Sequence, residues 1–204
     1  MKEFINEYEI ISGLLETDLI CGVDEAGRGP LCGSVSAAAV IMPTGVIIEG
    51  MDDSKKLTER KRERLFEVII EKALAYSIAF VDNNVIDEIN ILNASLKAME
   101  DAINGLALKP ALALIDGNQN RGITTRNVTI IGGDGKSHSI ACASVLAKVA
   151  RDRYMRELDL QYPEYGFLKH KGYGTKAHYE AIEKHGILDI HRKSFLKNVV
   201  RWKT

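Results

Sequence analysis

Four acidic residues sit where apolar runs end. Asp24 and Glu25 close the stretch 19–23, Asp116 closes 111–115, and Asp134 follows 128–131 after two glycines. Short apolar runs bounded by turn residues read as buried strands. If the acid-bearing ends of such strands lie side by side in one sheet, three or four carboxylates meet. That cluster repels itself unless cations neutralise it. Oxygen-only donors suit the hard cations Mg²⁺ and Mn²⁺, and two such ions ~4 Å apart serve in-line displacement at a phosphodiester. Taken singly, Asp116-Gly117 and Asp134-Gly135 also satisfy ordinary turn chemistry. The adjacent acids Asp24-Glu25 fit a turn less well, because a buried strand end is a costly place for two charges.

Directly after Glu25 comes Gly27-Arg28-Gly29-Pro30. Glycines flanking an arginine let backbone N–H groups approach a ligand closely. The loop lacks the spacing of a dinucleotide-binding fingerprint. Other residues are candidates for phosphate: Lys55 and Lys56, after Asp52-Asp53-Ser54, and Ser144, Lys148 and Arg151, at i, i+4, i+7 on one helix face. Tyr173 stands between Gly172 and Gly174, with Lys169, Lys171 and Lys176 around it. An aromatic ring among cations suits a sugar or base platform. The alternatives are a solvated basic stripe and an anchored surface tyrosine. Asp152 reads as structural, paired with a nearby arginine.

The elements that must carry these residues follow from periodicity. Strands are expected at 19–25, 35–41, 76–81, 111–115 and 128–131. A helix with Thr58 as N-cap runs through Lys72. A second starts near Asn90, with Leu92, Leu96, Met99, Ile103 and Leu106 on one face and Pro110 past its end. A third spans 140–160, with Ile140, Ala143, Ala147, Ala150, Tyr154 and Leu158 inward and Pro163 beyond. Further helices are expected at 176–185 and 195–199. Alternating strands and helices predict an α/β fold with a mixed five-stranded sheet flanked by helices. One domain over 1–204 is expected, with residues from about 163 to 204 as a basic helical extension.

The composition, 46% hydrophobic and 27% charged over 204 residues, is that of an ordinary globular domain. No apolar run reaches the ~20 residues of a membrane span. Met1-Lys2-Glu3-Phe4 lacks a signal-peptide pattern. Cys21, Cys32 and Cys142 form no C-x-x-C pair and read as reduced thiols of a cytoplasmic protein. The histidines 170, 178, 185 and 191 match no common zinc spacing and read as solvated helix residues. The net charge of −1 argues against a nucleic-acid partner, but it averages two regions. Residues 148–204 hold 13 Lys and Arg against 7 acids, whereas 1–147 hold 14 against 21. A basic quarter on an acidic body points to a polyanionic partner.

Five motifs in order resemble bacterial ribonuclease HII. They are residues 22–31 (GVDEAGRGPL), 52–57 (DDSKKL), 116–118 (DGN), 139–152 (SIACASVLAKVARD) and 170–175 (HKGYGT). The match runs from about Leu19 to the C-terminus. It departs at Cys142, where alanine is expected, and at Gly133, where the family often has lysine. The resemblance implies the ribonuclease H fold. It also implies two-metal endonucleolytic cleavage of RNA in RNA–DNA hybrids and at single ribonucleotides in duplex DNA, leaving 3′-hydroxyl and 5′-phosphate ends. Asp24, Glu25, Asp116 and Asp134 would hold two Mg²⁺ or Mn²⁺ ions. Gly27, Arg28 and Gly29 would sense the ribose 2′-OH, and Tyr173 would stack on the adjoining deoxyribose. Lys148 and the C-terminal helices would hold the backbone, and a monomer is the default. A serine–lysine hydrolase built on Ser144 and Lys148, and a non-catalytic hybrid-binding module, are the competing readings. A chelator separates the first from a two-metal nuclease, since only the nuclease loses activity in EDTA.

Overall fold

The computed structural model describes residues 3–10, 12–15, 17–52, 54 and 56–196. Five strands form one sheet: β1 (Ile20–Ala26), β2 (Val35–Ile41), β3 (Ala75–Val81), β4 (Leu112–Asp116) and β5 (Asn127–Ile130). Their order is β3-β2-β1-β4-β5. β1 runs antiparallel to β2 and parallel to β4, and β5 extends the parallel half. The sheet is the expected mixed one, and each strand lies within a residue or so of its expected place.

β2 is buried along its whole length. Its small residues let helices approach from both faces. On one face α2 (Asn83–Asn104) packs over Cys21, Val23, Ala37, Ala113 and Ile115. On the other, α1 (Glu59–Lys72) and α3 (His138–Gln161) pack over Ala38 and Val40. Strand alternation divides β2 between these two cores, with Val35, Ala37, Ala39 and Ile41 in the first and Ala38 and Val40 in the second.

Thr58 caps α1 as expected, accepting from the Lys61 N–H. α2 begins seven residues earlier than the periodicity suggests, with Asp82 accepting from the N–H groups of Asn84 and Val85. Asn90 interrupts it at φ 68°, and its side chain caps the second half through the N–H groups of Leu92 and Asn93. The apolar repeat restarts there, so periodicity marks the second half alone. In α3, Ala150 and Tyr154 are only half-buried, while Arg151, Asp152 and Met155 are buried. The interior there is partly polar, which hydrophobic periodicity cannot register.

The C-terminal part holds α4 (Phe167–His170), α5 (Lys176–His185) and a single turn at Lys193–Phe195. The rest of the helix expected at 195–199 lies outside the described residues. This part shares an apolar cluster with the sheet domain, built from Leu31, Cys32, Met155, Leu158, Tyr165, Phe167 and Leu196. No helix among the described residues is long and apolar enough to cross a membrane. All three cysteines are free and buried, and burial pushes the Cys21 and Cys32 thiols up to about 12, which keeps them protonated and unreactive.

α3 starts where Ser137 caps it, and the Glu7 carboxylate accepts from the Ser137 and Ser139 hydroxyls and the Ser139 N–H. That end lies directly on β1: a Cβ on Gly22 would stand 2.1 Å from the Ser139 carbonyl carbon. Backbone cannot yield as a side-chain tip can. Gly22→Ala should therefore destabilise the protein by at least ~1–3 kcal/mol, measured by urea unfolding. Wild-type stability in that variant would refute the close approach.

Candidate active site

Val23 pairs with Ile115 in the parallel β1–β4 register, so Asp24 and Asp116 end neighbouring strands side by side. Alternation turns both toward α3, on the face that holds Gly22 and Leu114. Asp24 is buried. Its carboxylate accepts the Glu25 N–H at 2.7 Å and a hydrogen bond from Ser144. Burial first, then the charges of Glu25 and Asp116, raise its pKa well above the usual carboxylate range. Burial also raises that of Glu25, and Arg28 opposes the shift through an ion pair at 3.2 Å. The Asp116 carboxylate accepts the N–H groups of Gly133 at 2.7 Å and Asp134 at 3.4 Å.

These acids open onto a cleft of about 260 Å³, lined also by Gly27, Arg28, Gly29, Ser54, Ser144, Lys148, Arg151, Lys171 and Tyr173. Of the residues singled out in the sequence, the structure brings Asp24, Glu25, Asp116, Gly27, Arg28, Gly29, Ser144, Lys148 and Tyr173 together along this cleft. Asp134 is buried, and its backbone N–H donates to the Asp116 carboxylate. Lys56 is exposed away from the cleft wall, and Lys55 lies outside the described residues. Ser54 was missed as a site residue: its hydroxyl meets that of Ser144 at 2.8 Å. Arg62 holds this segment from behind, donating to the Ser54 carbonyl at 3.0 Å.

Arg151 is not part of a solvated stripe. It is buried, donates to the carbonyls of Ser34 and Cys32, and occupies the place of a Cβ on Gly27, which has φ +96°. Glycine is required there twice over, by conformation and by space. Lys148 donates to Asp152 at 2.5 Å, and Asp152 also pairs with Arg62 at 3.5 Å. Asp152 is thus structural, as expected. The Lys148 side chain is engaged by Asp152 and the Ser144 hydroxyl by Ser54, which disfavours a serine–lysine hydrolase. The reading of the histidines as solvated helix residues is corrected: His178 and His191 are fully buried, 3.2 Å apart, with Cys32 beside them. His191 lies outside the helix that carries His178, and Cys32 comes from the distant glycine loop, so helical spacing could not reveal the group.

The donor set toward the cleft is oxygen only, and the charges of Glu25 and Asp116 add to burial in raising the Asp24 pKa. Both observations fit hard divalent cations.

The family model described as Ribonuclease HII matches residues 21–198. A relative named ribonuclease HII from Caldicellulosiruptor bescii is 55% identical over 202 residues, covering 98% of each chain. Among solved structures, ribonuclease H2 of Pyrococcus horikoshii superposes with a TM-score of 0.74 at 28% identity, covering 90% of this chain and 96% of that one. A PCNA:RNase HII complex from Archaeoglobus fulgidus does so at 0.71 and 26%, covering 91% and 98%.

An acid whose folded-state pKa is raised opposes folding once the pH exceeds its unfolded value, because the native state then holds the proton too tightly. Asp24→Asn removes that charge while keeping an oxygen that can accept the Glu25 N–H. Without metal at neutral pH, its thermal midpoint should rise by a few degrees, each 1 kcal/mol being worth ~2–4 °C at this size, and the gain should vanish at acid pH. A midpoint equal to or below wild type at neutral pH would contradict the charge-crowding account.

Proposed function

This chain belongs to the ribonuclease HII family, and from that membership we propose how its cleft works and what it cuts. The family is a set of metal-dependent ribonuclease H endonucleases acting on RNA–DNA hybrids, and the chain is such a hydrolase. The proposal carries this further: cleavage of the RNA strand of hybrids and at single ribonucleotides embedded in duplex DNA, leaving 3′-hydroxyl and 5′-phosphate ends. The observation that carries it is the meeting of Asp24 and Asp116 at adjacent parallel strand ends, in one cleft with the Gly27–Gly29 turn and Tyr173.

Asp24, Glu25, Asp116 and Asp134 hold two Mg²⁺ or Mn²⁺ ions. When bound, such ions supply charge neutralisation at phosphorus, a more acidic water and stabilisation of the leaving oxygen. The chain's own residues do the rest. Glycine backbone at 27–29 comes close enough to read a 2′-OH, the group that separates RNA from DNA at one position. Arg28 is half-exposed beside Glu25, within reach of a phosphate. Ser144 and Lys148 face the backbone, Lys148 held in place by Asp152. Lys55 and Lys56 are phosphate contacts. Tyr173 is 47% exposed and lies against Gly29, placed to stack on the sugar next to the ribonucleotide. These contacts favour no base sequence, so affinity should fall with salt. The nucleophile is water, and no side chain forms a covalent intermediate. A non-catalytic hybrid-binding module has no use for clustered carboxylates facing a polyanion. Residues 1–204 act as one catalytic domain with a substrate-gripping C-terminal part, and a complete cleft in one chain supports a monomer. The three buried free thiols fit the cytoplasm.

Asp116→Asn should lower Mg²⁺-dependent cleavage of a duplex carrying one ribonucleotide by more than ~10²-fold, beyond the 10–100-fold typical of outer-shell changes at metal sites. Wild-type-like cleavage would remove the acid from the site. Tyr173→Ala should lower kcat/KM at an RNA–DNA junction by ~5–150-fold, the equivalent of ~1–3 kcal/mol of stacking. Its unfolding free energy should stay within ~0.5 kcal/mol of wild type, as for other surface changes. Equal losses of stability and activity would make Tyr173 an anchor only.

A further inference from the structure

Arg192 is fully buried, and its guanidinium is directed at the back of the glycine loop. Nη2 donates to the Gly27 carbonyl at 2.7 Å, and Nη1 donates to those of Arg28 and Pro30, both at 2.9 Å. Nε donates to the Gly33 carbonyl at 2.9 Å. In a trans peptide the C=O of one residue and the N–H of the next point in opposite directions. Drawing the Gly27 and Arg28 carbonyls inward therefore turns the N–H groups of Arg28 and Gly29 outward, to the cleft side. The Pro30 unit displays this geometry: its carbonyl meets Arg192, and the following Leu31 N–H donates the other way, to Gly172 at 2.8 Å.

The neighbouring residue acts on Tyr173. His191 Nδ1 faces the Leu188 N–H at 2.9 Å and the Leu188 carbonyl at 3.3 Å; the N–H is the closer and can only donate, which assigns the His191 proton to Nε2. That proton is donated to His178 Nε2 at 3.2 Å, and His178 Nδ1–H donates to the Tyr173 carbonyl at 3.0 Å. The imidazoles are neutral at physiological pH, burial having pushed His178 down to about 4. The triangle of Cys32, His178 and His191 resembles a metal site in composition, but the facing nitrogens of its two histidines share a proton.

We propose that Arg192 is a positioning residue for substrate recognition, holding the Gly27 and Arg28 peptide units with their N–H groups toward the cleft, while His191 holds Tyr173 through His178. The inference rests on the reading of the glycine loop and Tyr173 as substrate contacts. Burial and the neighbouring Arg151 lower the Arg192 pKa to about 9, which leaves the guanidinium charged at neutral pH. Lysine keeps the charge and loses the fork.

The test is Arg192→Lys, followed by hydrogen–deuterium exchange at the Leu31 and Gly33 amides, which bond Gly172 and Ile190. Mn²⁺ binding by calorimetry and cleavage of a single-ribonucleotide duplex are measured alongside. Exchange at those amides should quicken at least tenfold while β1 amides keep their rates. In parallel, kcat/KM should fall at least tenfold with Mn²⁺ affinity within twofold of wild type. Unchanged exchange at Leu31 and Gly33 overturns the proposal, and so does a parallel loss of Mn²⁺ binding. Quickened exchange with full activity supports the hold of Arg192 on the loop and overturns the loop's recognition role instead. If Arg192→Lys does not fold, the wild-type protein decides. The Arg192 Nε–H should exchange with solvent at least tenfold more slowly than those of exposed arginines, and exchange as fast as theirs overturns the proposal.

Discussion

Like charges held at close quarters organise this molecule. Asp24 and Asp116 end adjacent parallel strands, with Glu25 beside them, and burial and mutual repulsion raise the Asp24 and Glu25 pKa values. A protein selected only for stability would not place them so. The surroundings contain the repulsion in part. Asp116 accepts two backbone N–H groups from the turn at Gly133–Gly135, Asp24 accepts one from Glu25, and Arg28 pairs with Glu25. What those partners leave uncompensated is the attraction for divalent cations.

Rigid elements hold this arrangement. α3 lies on β1 with no room for a side chain at Gly22, and its N-terminus is tied by Glu7. One helix then delivers Ser144 to Asp24, Lys148 to the cleft and Asp152 to its partners Lys148 and Arg62. Sites built on packed helices and strands keep their geometry better than sites on free loops. The loop that does line the cleft, residues 27–33, is held from behind by two buried arginines, Arg151 and Arg192.

Those arginines also change the meaning of the charge distribution. The basic C-terminal quarter first reads as a surface for phosphates. Two of its cations instead lie inside, stabilised by carbonyl dipoles. Arg153 and Arg156 pair with Glu59, Glu63 and Glu67 on α1. The cations available to a nucleic acid are correspondingly fewer, with Lys148 and Lys171 on the cleft wall itself.

The strands and most helices are legible in the amino-acid order, because alternation, caps and turn residues act over a few positions: Thr58 as a cap and Asp24-Glu25 at a strand end needed no partner elsewhere. The same order also identifies the family, through five ordered motifs, and most of the cleft, since Asp24, Asp116, Ser144, Lys148 and Tyr173 stand in those motifs. Tertiary structure decided the rest. It buried Asp134 against the Asp116 carboxylate, turned Arg151 inward, buried His178 and His191, and brought Arg192 to carbonyls more than 150 residues away in the chain. Those outcomes depend on which backbone groups a folded chain leaves without partners. That is a property of distant segments meeting, and local patterning carries no record of it.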